Sequence, residues 1–321
     1  MPCVRYGSDC FESGPGESVL DTLLRNGVTV PHSCRAGVCG SCLMRSAEGP
    51  VPARAQAGLK DSWKSRGYFL ACSSVPEADV TVAPVDGDAK VAACIVDLAR
   101  LSPDVLRVSL RCDGSFEHRA GQYVTVIRAD GLSRSYSIAS LPDETEIELH
   151  VRRTPNGRMS GWLFGEAQVG DRVSLIGPSG DCFYVAGRQE QPLLLVGTGT
   201  GLAPLYGVLR DALRHGHSGP IHLFHGAVRP AGLYLRDELR WLALQHANVV
   251  YTPTVLDGEG GEDIAVGAID QTVLTQFPKL KGWRAFVCGD PGLVQMLRKK
   301  LFLNGIATRD IHADAFLPTP P

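Results

Sequence analysis

The alternation of apolar and polar positions first predicts a small module built around one helix. Within residues 18–30, Ser18 is a suitable helix N-cap, two apolar pairs four positions apart form a buried stripe, and an Asn-Gly pair is a stop signal. A loop rich in Cys, Gly and Ser follows over residues 31–42. The alternating stretch 79–83 predicts a closing strand. The short polar segment 84–90 predicts a linker.

Between residues 91 and 187 the pattern changes to short strands separated by turns. Such spacing is typical of a small antiparallel barrel, which we expect to be six-stranded. One helical segment, 160–166, interrupts the barrel, and the Gly-Pro-Ser-Gly sequence at 177–180 predicts a tight turn that ends it. The clearest predicted strands are residues 92–98, 105–110, 123–127, 147–151 and 172–176.

After residue 191 strands alternate with helices, which predicts a doubly wound parallel sheet of α/β type. The predicted strands are 193–196, 221–225, 248–251 and 285–288, and the predicted helices are 203–213, 237–244 and 292–303. The chain is therefore predicted to be a multidomain α+β protein. Its three domains are expected at residues 1–86, 91–188 and 190–321.

Composition and charge narrow the class of protein. The 321 residues carry 32 Lys and Arg against 34 Asp and Glu, so no charge excess supports binding to nucleic acid. No apolar run reaches the roughly 18–20 residues of a membrane helix, and the first residues lack the pattern of a signal peptide. We therefore expect a cytoplasmic protein that binds neither nucleic acid nor membrane. Because disulfides are rare in that compartment, the ten cysteines need another explanation.

Four of the cysteines have the spacing of an iron–sulfur site. Cys34, Cys39 and Cys42 follow C-x4-C-x2-C, and 29 residues separate Cys42 from Cys72, as in plant-type [2Fe–2S] ferredoxins. A two-iron cluster takes four thiolates, two on each iron, and one loop can supply three of them. The alternatives are a zinc site, which more often uses two close cysteine pairs, and unrelated buried thiols. Five further cysteines show no ligand spacing and are expected to be incidental thiols: Cys3, Cys10, Cys94, Cys112 and Cys182.

A second group of residues suits a flavin. The segment Arg134-Ser135-Tyr136-Ser137 lies at a predicted strand end, although alone it is compatible with an ordinary exposed strand. The segment 157–160 opens the only predicted helix of the barrel, and a helix N-terminus preceded by Gly is a natural pyrophosphate site. Arg134 and Arg152 offer guanidinium groups to phosphates, and Tyr136 offers a ring that can stack on an isoalloxazine.

A third group suits a nicotinamide coenzyme. The loop Gly197-Thr198-Gly199-Thr200-Gly201 lies between an apolar strand and a helix. It departs from G-x-G-x-x-G, but its glycines still let the backbone approach a pyrophosphate, which the helix dipole favours. Cys288-Gly289-Asp290 follows a second buried strand, at the carboxyl end where doubly wound sheets bind ligands. Cys288 is either placed to touch the nicotinamide or is a small core residue.

In this order the three modules resemble the NADH-dependent reductase components of bacterial oxygenases. In that family a plant-type ferredoxin of β-grasp fold is fused to a unit like ferredoxin-NADP⁺ reductase. The resemblance covers the whole chain and rests on the cluster motif together with the Arg-x-Tyr-Ser, Gly-Thr-Gly-x-Ala-Pro and Cys-Gly motifs. It implies three cofactors: a [2Fe–2S] cluster, FAD rather than FMN, and NADH.

The resemblance also implies roles for individual residues. Ser137, Cys288 and Asp314 would act where the flavin and the nicotinamide react, with Ser137 near flavin N5. Family members often have Glu where Asp314 stands and Gly where Thr198 stands. The other implied cofactor-binding residues are Arg134, Tyr136, His150, Val151, Arg152, Gly157, Met159, Ser160 and Phe316 for the flavin, and Gly199, Thr200, Gly201, Pro204, Gly289 and Asp290 for the coenzyme.

The implied activity is electron transfer from NADH through FAD and the cluster to a terminal aromatic-ring oxygenase of Rieske type. Alternative acceptors are a diiron monooxygenase and a non-oxygenase such as a deoxysugar dehydratase. A further alternative is a non-redox protein that binds zinc and a nucleotide. After the 221–225 strand, Arg229 could meet the 2′-phosphate of NADPH or be a surface residue, and the lack of a Ser/Lys/Tyr cluster beside it favours NADH. Residues 1–85 hold eight Lys and Arg and eight Asp and Glu, so we expect a transient acceptor complex near residues 35–41 without strong electrostatic steering.

Overall fold

The computed structural model describes residues 1–59, 61–85, 90–258, 261 and 263–317, and these residues form three sheets. The elements of the first module are β1 Cys3–Tyr6, β2 Asp9–Glu12, α1 Val19–Arg25, β3 Leu43–Glu48, α2 Asp61–Lys64, β4 Tyr68–Leu70 and β5 Val80–Pro84. The strands lie in the order β2-β1-β5-β3-β4. Of these neighbours β1 and β5 are parallel and the others antiparallel, the mixed sheet of a β-grasp fold. In the predicted linker 84–90, β5 extends to Pro84, and residues 86–89 lie outside the described residues.

Helix α1 begins where the sequence predicts. Ser18 Oγ accepts the backbone N–H of Asp21 at 3.1 Å and donates to the Asp21 carboxylate at 2.6 Å. Val19 and Leu20 are fully buried against the sheet. The N–H of Val19 also donates to the carbonyl of Ser74 at 2.7 Å. The helix therefore holds in place the segment that carries Cys72.

The hairpin of β1 and β2 was not predicted, and it joins Cys3 to Cys10 in a disulfide. The expectation of two incidental thiols is therefore wrong for this pair. In the antiparallel register Cys3 is opposite Glu12 and Arg5 is opposite Cys10. Cys3 and Cys10 are therefore diagonal neighbours on adjacent strands, which explains why they are close. The two Cα atoms lie 5.8 Å apart.

The second module is a six-stranded antiparallel barrel. Its elements are β6 Val91–Ser102, β7 Val105–Cys112, β8 Tyr123–Ile127, β9 Ser133–Ser137, β10 Ile147–Arg152, α3 Arg158–Gly165 and β11 Arg172–Ser179. The strand order is β10-β7-β6-β11-β8-β9, and a bridge between Ile138 and Leu149 joins the two ends of this order. The predicted turn at 177–180 is wrong, because β11 continues to Ser179 through an irregularity that begins at Ile176. Pro178 has no N–H to donate, so the ladder is interrupted there without ending.

The third module is a sheet of six parallel strands flanked by helices. Its elements are β12 Leu193–Thr198, α4 Leu202–Arg214, β13 Ile221–Ala227, α5 Arg236–Gln245, β14 Val249–Val255, β15 Ala265–Val266, α6 Ile269–Gln276, β16 Arg284–Gly289, α7 Pro291–Leu303 and β17 Ile311–Ala315. The strand order is β15-β14-β13-β12-β16-β17. The chain runs outward from β12 to β15 and then restarts at β16, so the switch point lies between β12 and β16. The predicted doubly wound sheet is confirmed, whereas β15, α6 and β17 had not been predicted.

Apolar cores cross the boundaries between the modules. Ile127 and Ile176 of the barrel are buried in the core of the first module. Val105, Ala139 and Tyr184 are buried in the core that surrounds α4. Since burying apolar surface contributes roughly 25 cal/mol per Å², these residues stabilise the barrel against both neighbours. None of the helices formed by the described residues is long and apolar enough to cross a membrane.

Candidate functional site

A cleft of about 910 Å³, counted with its open mouth, lies where the three modules meet. One wall is the loop that holds Cys34 and Cys39, the second is made of barrel strands, and the third comes from β17 and the glycine loop. Ten predicted site residues line this cleft: Cys34, Cys39, Arg134, Tyr136, Ser137, His150, Arg152, Thr200, Asp314 and Phe316. The fold thus brings the three predicted groups of site residues to one cavity.

The four predicted cluster ligands lie in two pairs. The N–H of Cys39 donates to Cys34 Sγ at 3.4 Å, and the N–H of Cys72 donates to Cys42 Sγ at 3.5 Å. Hydrogen bonding within each pair lowers the pKa of Cys34 to about 5 and the pKa of Cys72 to about 6. The described part of the chain contains no group of three or more His, Cys, Asp or Glu side chains around one metal position. Two thiol pairs are the donor set that two irons with two thiolates each require, so the residues fit a [2Fe–2S] cluster.

Hydroxyl groups of the barrel hold the cluster loop. Tyr123 Oη donates to the carbonyl of Val38 at 2.5 Å. Thr125 Oγ1 donates to the carbonyl of Cys39 at 2.6 Å, and Ser135 Oγ donates to the same oxygen at 3.2 Å. The donors come from β8 and β9, so the loop that carries two cluster ligands is fixed directly to the strands that border the cleft.

Strand β9 sets the predicted flavin residues along the cleft. It is the last strand in the barrel order, and residues 134–137 all line the cavity. Arg134 Nη1 donates to the carbonyl of Ser133 at 2.7 Å, which holds the guanidinium beside the strand. Burial raises the pKa of the Tyr136 phenol. The Tyr136 ring is therefore a neutral, mostly apolar surface suited to stacking against a flat aromatic ligand.

Strand β17 brings a carboxylate into the cleft. Its register places Asp314 beside Cys288, and Ser137 Oγ donates to Asp314 Oδ2 at 2.8 Å. Burial raises the pKa of Asp314 to about 6, against the lowering effect of the Ser137 hydrogen bond. Phe316 continues from the strand, and its N–H donates to the carbonyl of Gly289 at 2.8 Å. Asp314 can therefore hold or release a proton at its carboxylate close to neutral pH.

Ser160 fixes the turn before α3, where the sequence predicts a pyrophosphate site. Ser160 Oγ accepts the N–H of Thr154 at 3.1 Å and donates to the carbonyl of Gly157 at 3.3 Å, so it fixes the turn before the helix. The side chain of Met159 is only 1% exposed in the barrel core, which leaves its backbone to face a ligand. Arg152 and Thr154 line the cleft beside this helix end. N–H groups at a helix start together with a guanidinium suit a pyrophosphate.

The glycine loop packs on the carboxyl end of β16. The segment Gly199–Gly201 is a short 3-10 turn between β12 and α4. A Cβ on Gly201 would come within 2.3 Å of the carbonyl oxygen of Cys288, and one on Gly289 would come within 2.7 Å of Thr198 Oγ1. Both positions therefore require glycine. The two strand ends that flank the switch point touch each other, at the place where such sheets bind nucleotides.

Cys288 and Asp290, at the carboxyl end of β16, have structural contacts of their own. Cys288 is fully buried, and its Sγ lies 3.4 Å from Sγ of Cys182, which the sequence had left without a contact. Asp290 Oδ1 accepts the N–H of Leu293 at 3.0 Å and so caps α7.

The ring of His150 is hydrogen-bonded to a Glu148 carboxylate oxygen at 2.7 Å and to the hydroxyl of Tyr234 at 3.1 Å, so it links the barrel to the third module.

The other predicted site residues do not line the cleft. These are Cys42, Cys72, Val151, Gly157, Met159, Ser160, Gly199, Gly201, Pro204, Cys288, Gly289 and Asp290. Eight lining residues had been given no role: Ser33, Val38, Tyr123, Ser135, Thr154, Ala203, Ala315 and Leu317. Two of them, Tyr123 and Ser135, lie on the paired strands β8 and β9. Tyr123 is opposite Ser137, and Ser135 is opposite Thr125. The pairing of these strands is the signal that could have pointed to both.

Three sequence families match successive parts of the chain. They are the 2Fe-2S iron-sulfur cluster binding domain over residues 7–77, the oxidoreductase FAD-binding domain over residues 92–184 and the oxidoreductase NAD-binding domain over residues 195–299. The prediction of three cofactor-binding modules is confirmed. The match to a 2Fe-2S domain rejects the alternative that the cysteines bind zinc. The fold and the cleft therefore define an iron–sulfur flavoprotein oxidoreductase that uses a nicotinamide coenzyme.

The relatives narrow this class further. The reductase component of the naphthalene 1,2-dioxygenase/salicylate 5-hydroxylase systems of Ralstonia sp is 33% identical over 317 residues, which cover 95% of this chain and 94% of the relative. The chain belongs to the family of ferredoxin–NAD(P)⁺ reductase components. The crystal structure of the Amycolatopsis cytochrome P450 reductase GcoB matches with 32% identity and a TM-score of 0.71 over 99% of both chains. A CDP-6-deoxy-L-threo-D-glycero-4-hexulose-3-dehydrase reductase of Yersinia pestis is 28% identical over 320 residues, 96% of each chain.

Proposed function

We propose that this reductase takes electrons from NADH and passes them singly to the terminal oxygenase of a multicomponent system, of Rieske type and acting on an aromatic ring. The observation that supports the proposal is the single cleft shared by cluster-loop, barrel and nucleotide-module residues. When bound, the nicotinamide supplies a hydride, FAD divides the electron pair, and the [2Fe–2S] cluster carries single electrons.

The protein's own groups position these partners. In our proposal Tyr136 stacks on the flavin ring, while Arg134 and Arg152 pair with phosphate oxygens at the start of α3. Ser137 and Asp314 hold a proton between them beside the reacting atoms. Above a pH of about 6 the Asp314 carboxylate is ionised. It then stabilises the positive charge that a nicotinamide gains as its hydride leaves.

A pair of charges after β13 and β14 supports NADH as the coenzyme. Arg229 Nε lies 3.5 Å from Asp257 Oδ2, and the N–H of Asp257 donates to the carbonyl of Val228 at 2.9 Å. The carboxylate compensates the cation that could otherwise attract a 2′-phosphate, and it repels that phosphate itself. We expect Asp257→Asn to raise kcat/KM for NADPH roughly tenfold with little change for NADH. The control is Asp237→Asn, an exposed carboxylate on α5; a wild-type preference for NADPH would contradict the assignment.

The acceptor is the finer part of the proposal. Relatives named for dioxygenase systems, a cytochrome P450 and a hexulose dehydrase all span nearly the whole chain. We favour the aromatic oxygenase because two relatives at 33% identity are reductase components of naphthalene 1,2-dioxygenase systems. The test is NADH-dependent turnover of a purified Rieske oxygenase, a P450 and a deoxysugar dehydrase, each supplied with this reductase. Turnover confined to the P450 or to the dehydrase would reject the favoured acceptor.

The acceptor complex is proposed to be transient and to form at the exposed tip of the cluster loop. The carbonyls of Val38 and Cys39 are bonded to the barrel, while Arg35 and Ala36 remain exposed. Arg35 is itself paired with Asp21 at 3.6 Å, which reduces its pull on an acidic partner. We expect oxygenase turnover to change less than about twofold as salt shortens the Debye length from roughly 10 Å to 3 Å. A steep fall would show that charge steers docking.

We also propose that the protein resides in the cytoplasm, where NADH is available to it. Fractionation of cells that express the tagged chain tests the proposal, and recovery in the periplasmic fraction would overturn it.

A further inference from the structure

Two hydroxyl side chains of the barrel meet at one backbone oxygen of the cluster loop. Thr125 on β8 and Ser135 on β9 are cross-strand partners, and their hydroxyl oxygens lie 2.9 Å apart. Both reach the carbonyl of Cys39, Thr125 at 2.6 Å and Ser135 at 3.2 Å. Each hydroxyl has one proton, so Thr125 donates to the carbonyl at the shorter distance, while Ser135 donates either to the carbonyl or to Thr125 Oγ1.

The position of Thr125 in its strand makes this contact costly to replace. The neighbouring Val124 and Val126 are buried in the barrel core, so Thr125 points to the opposite face, against the loop. Thr125 is only 1% exposed. A buried hydroxyl needs a hydrogen-bond partner, and the Cys39 carbonyl is the one within 2.6 Å. The polar residue in this apolar stretch is therefore matched to the loop carbonyl and to its cross-strand partner Ser135.

The acceptor of these bonds belongs to a predicted cluster ligand. The N–H of Cys39 donates to Cys34 Sγ at 3.4 Å, and Cys39 Sγ lies 3.2 Å from Ser41 Oγ. Fixing the Cys39 carbonyl therefore fixes the Cys39–Gly40 peptide, which adjoins the side chain of this predicted ligand. The same strands border the flavin side of the cleft through residues 134–137. One rigid cross-strand pair thus connects the walls that would hold the electron donor and the electron acceptor.

We propose that Thr125 and Ser135 are positioning residues that set the rate of electron transfer from the flavin to the cluster. This inference rests on the proposed function of the cleft. Each transfer moves one electron, oxidising the flavin and reducing the cluster by one equivalent. Because electron tunnelling falls steeply with distance, a loop that loses its tether transfers electrons more slowly. The hydride step would use Ser137 and Asp314, which are hydrogen-bonded to each other, so we expect it not to depend on this tether.

The test uses the holoenzyme, with flavin and iron contents checked in every variant. Thr125→Val keeps the shape of the side chain and removes the hydroxyl, whereas Thr125→Ser keeps the hydroxyl. Ser135→Ala removes the longer of the two contacts to the Cys39 carbonyl. The matched control is Ser133→Ala, since Ser133 on β9 is equally buried and donates at 3.3 Å to His32, a loop residue that is not a cluster ligand. Ferricyanide is used as an acceptor at the flavin, and cytochrome c as an acceptor that depends on the cluster.

We expect Thr125→Val to lower NADH–cytochrome c turnover roughly tenfold, as for other slight misplacements of reacting groups. NADH–ferricyanide turnover should stay unchanged, Thr125→Ser should recover the loss, and Ser133→Ala should behave as wild type. Independently of activity, amide hydrogen exchange of residues 33–42 should be faster in Thr125→Val than in wild type and Ser133→Ala. If Thr125→Val does not load its cluster, a smaller selective loss in Ser135→Ala supports the proposal in its place.

Two results would overturn the inference. One is an unchanged cytochrome c rate in both Thr125→Val and Ser135→Ala. The other is a parallel loss of both activities, which would mean that the hydroxyls only maintain the fold. Failure of the proposed function is distinguishable from either result, because the wild-type enzyme would then fail to reduce ferricyanide with NADH.

Discussion

The barrel has two neighbours, and it holds them by different chemistry. Towards the first module, hydroxyl side chains donate to backbone carbonyls, as Thr125 does to Cys39. Towards the third module, titratable side chains also bond one another, as in the Ser137–Asp314 hydrogen bond and the Arg210–Glu144 ion pair. A backbone carbonyl does not titrate, whereas a carboxylate does. The cluster side of the flavin is therefore expected to be insensitive to pH and the coenzyme side to respond to it.

The largest expected effect separates the two sides completely. Cys72→Ser removes one thiolate from the Cys42 pair, so a two-iron cluster loses a ligand. We expect NADH–cytochrome c turnover to fall to background, with loss of the iron–sulfur absorption, while NADH–ferricyanide turnover is retained. The control is Cys94→Ser, a cysteine outside the ligand set. Loss of ferricyanide reduction in Cys72→Ser would show that the two sides are not independent.

The next effect concerns the coenzyme side alone. Asp314→Asn removes the charge and keeps the shape beside Ser137. We expect the rate of flavin reduction by NADH to fall roughly tenfold or more above pH 6, as is usual when a group that handles a proton or charge is removed. Wild-type rates should rise through an apparent pKa of about 6, and the variant should show no such rise. Stopped-flow flavin bleaching measures both, and a wild-type profile flat from pH 5 to 8 would contradict the assignment.

The same carboxylate should make stability depend on pH. Its folded pKa of about 6 lies above the ordinary aspartate pKa of 3.8, so the folded state binds the proton more tightly. This contribution to stability is fully present below the unfolded pKa and is lost as pH rises through about 6. Asp314→Asn should therefore gain about 2 kcal/mol in unfolding free energy over wild type between pH 4 and 7. Urea denaturation measures this gain, which Asp237→Asn should not show.

The smallest effect is expected at the exposed rim of the coenzyme side. Arg210 of α4 pairs with Glu144 of the barrel, and both side chains are partly accessible to solvent. Arg210→Gln should lower the free energy of unfolding by no more than about 1 kcal/mol, and salt should reduce the difference. A loss of several kcal/mol in urea denaturation would mean that ion pairs, rather than the shared apolar cores, join these modules.

The sequence predicted the elements that have strong local signals. The capped helix α1, the cysteine spacing and the strand-loop-helix around Gly199 all follow from neighbouring residues. The hydroxyl tether could not be predicted, because Thr125 and Cys39 are 86 positions apart and meet only through the docking of two modules. Strand β17 was not predicted, because all five residues of Ile311–Ala315 are only partly buried and no apolar alternation marks the strand. The resemblance, not the pattern, pointed to Asp314.

The contrast between the two sides is tested most directly by starting electron transfer on each side separately in wild type and Asp314→Asn. Flash photoreduction of the flavin without NADH starts the transfer to the cluster, and stopped-flow mixing with NADH starts the hydride step. We predict that Asp314→Asn abolishes the pH dependence of the NADH step near 6 and leaves the flash-started rate unchanged from pH 5 to 8. A flash-started rate that slows in Asp314→Asn as much as the NADH step would contradict the account.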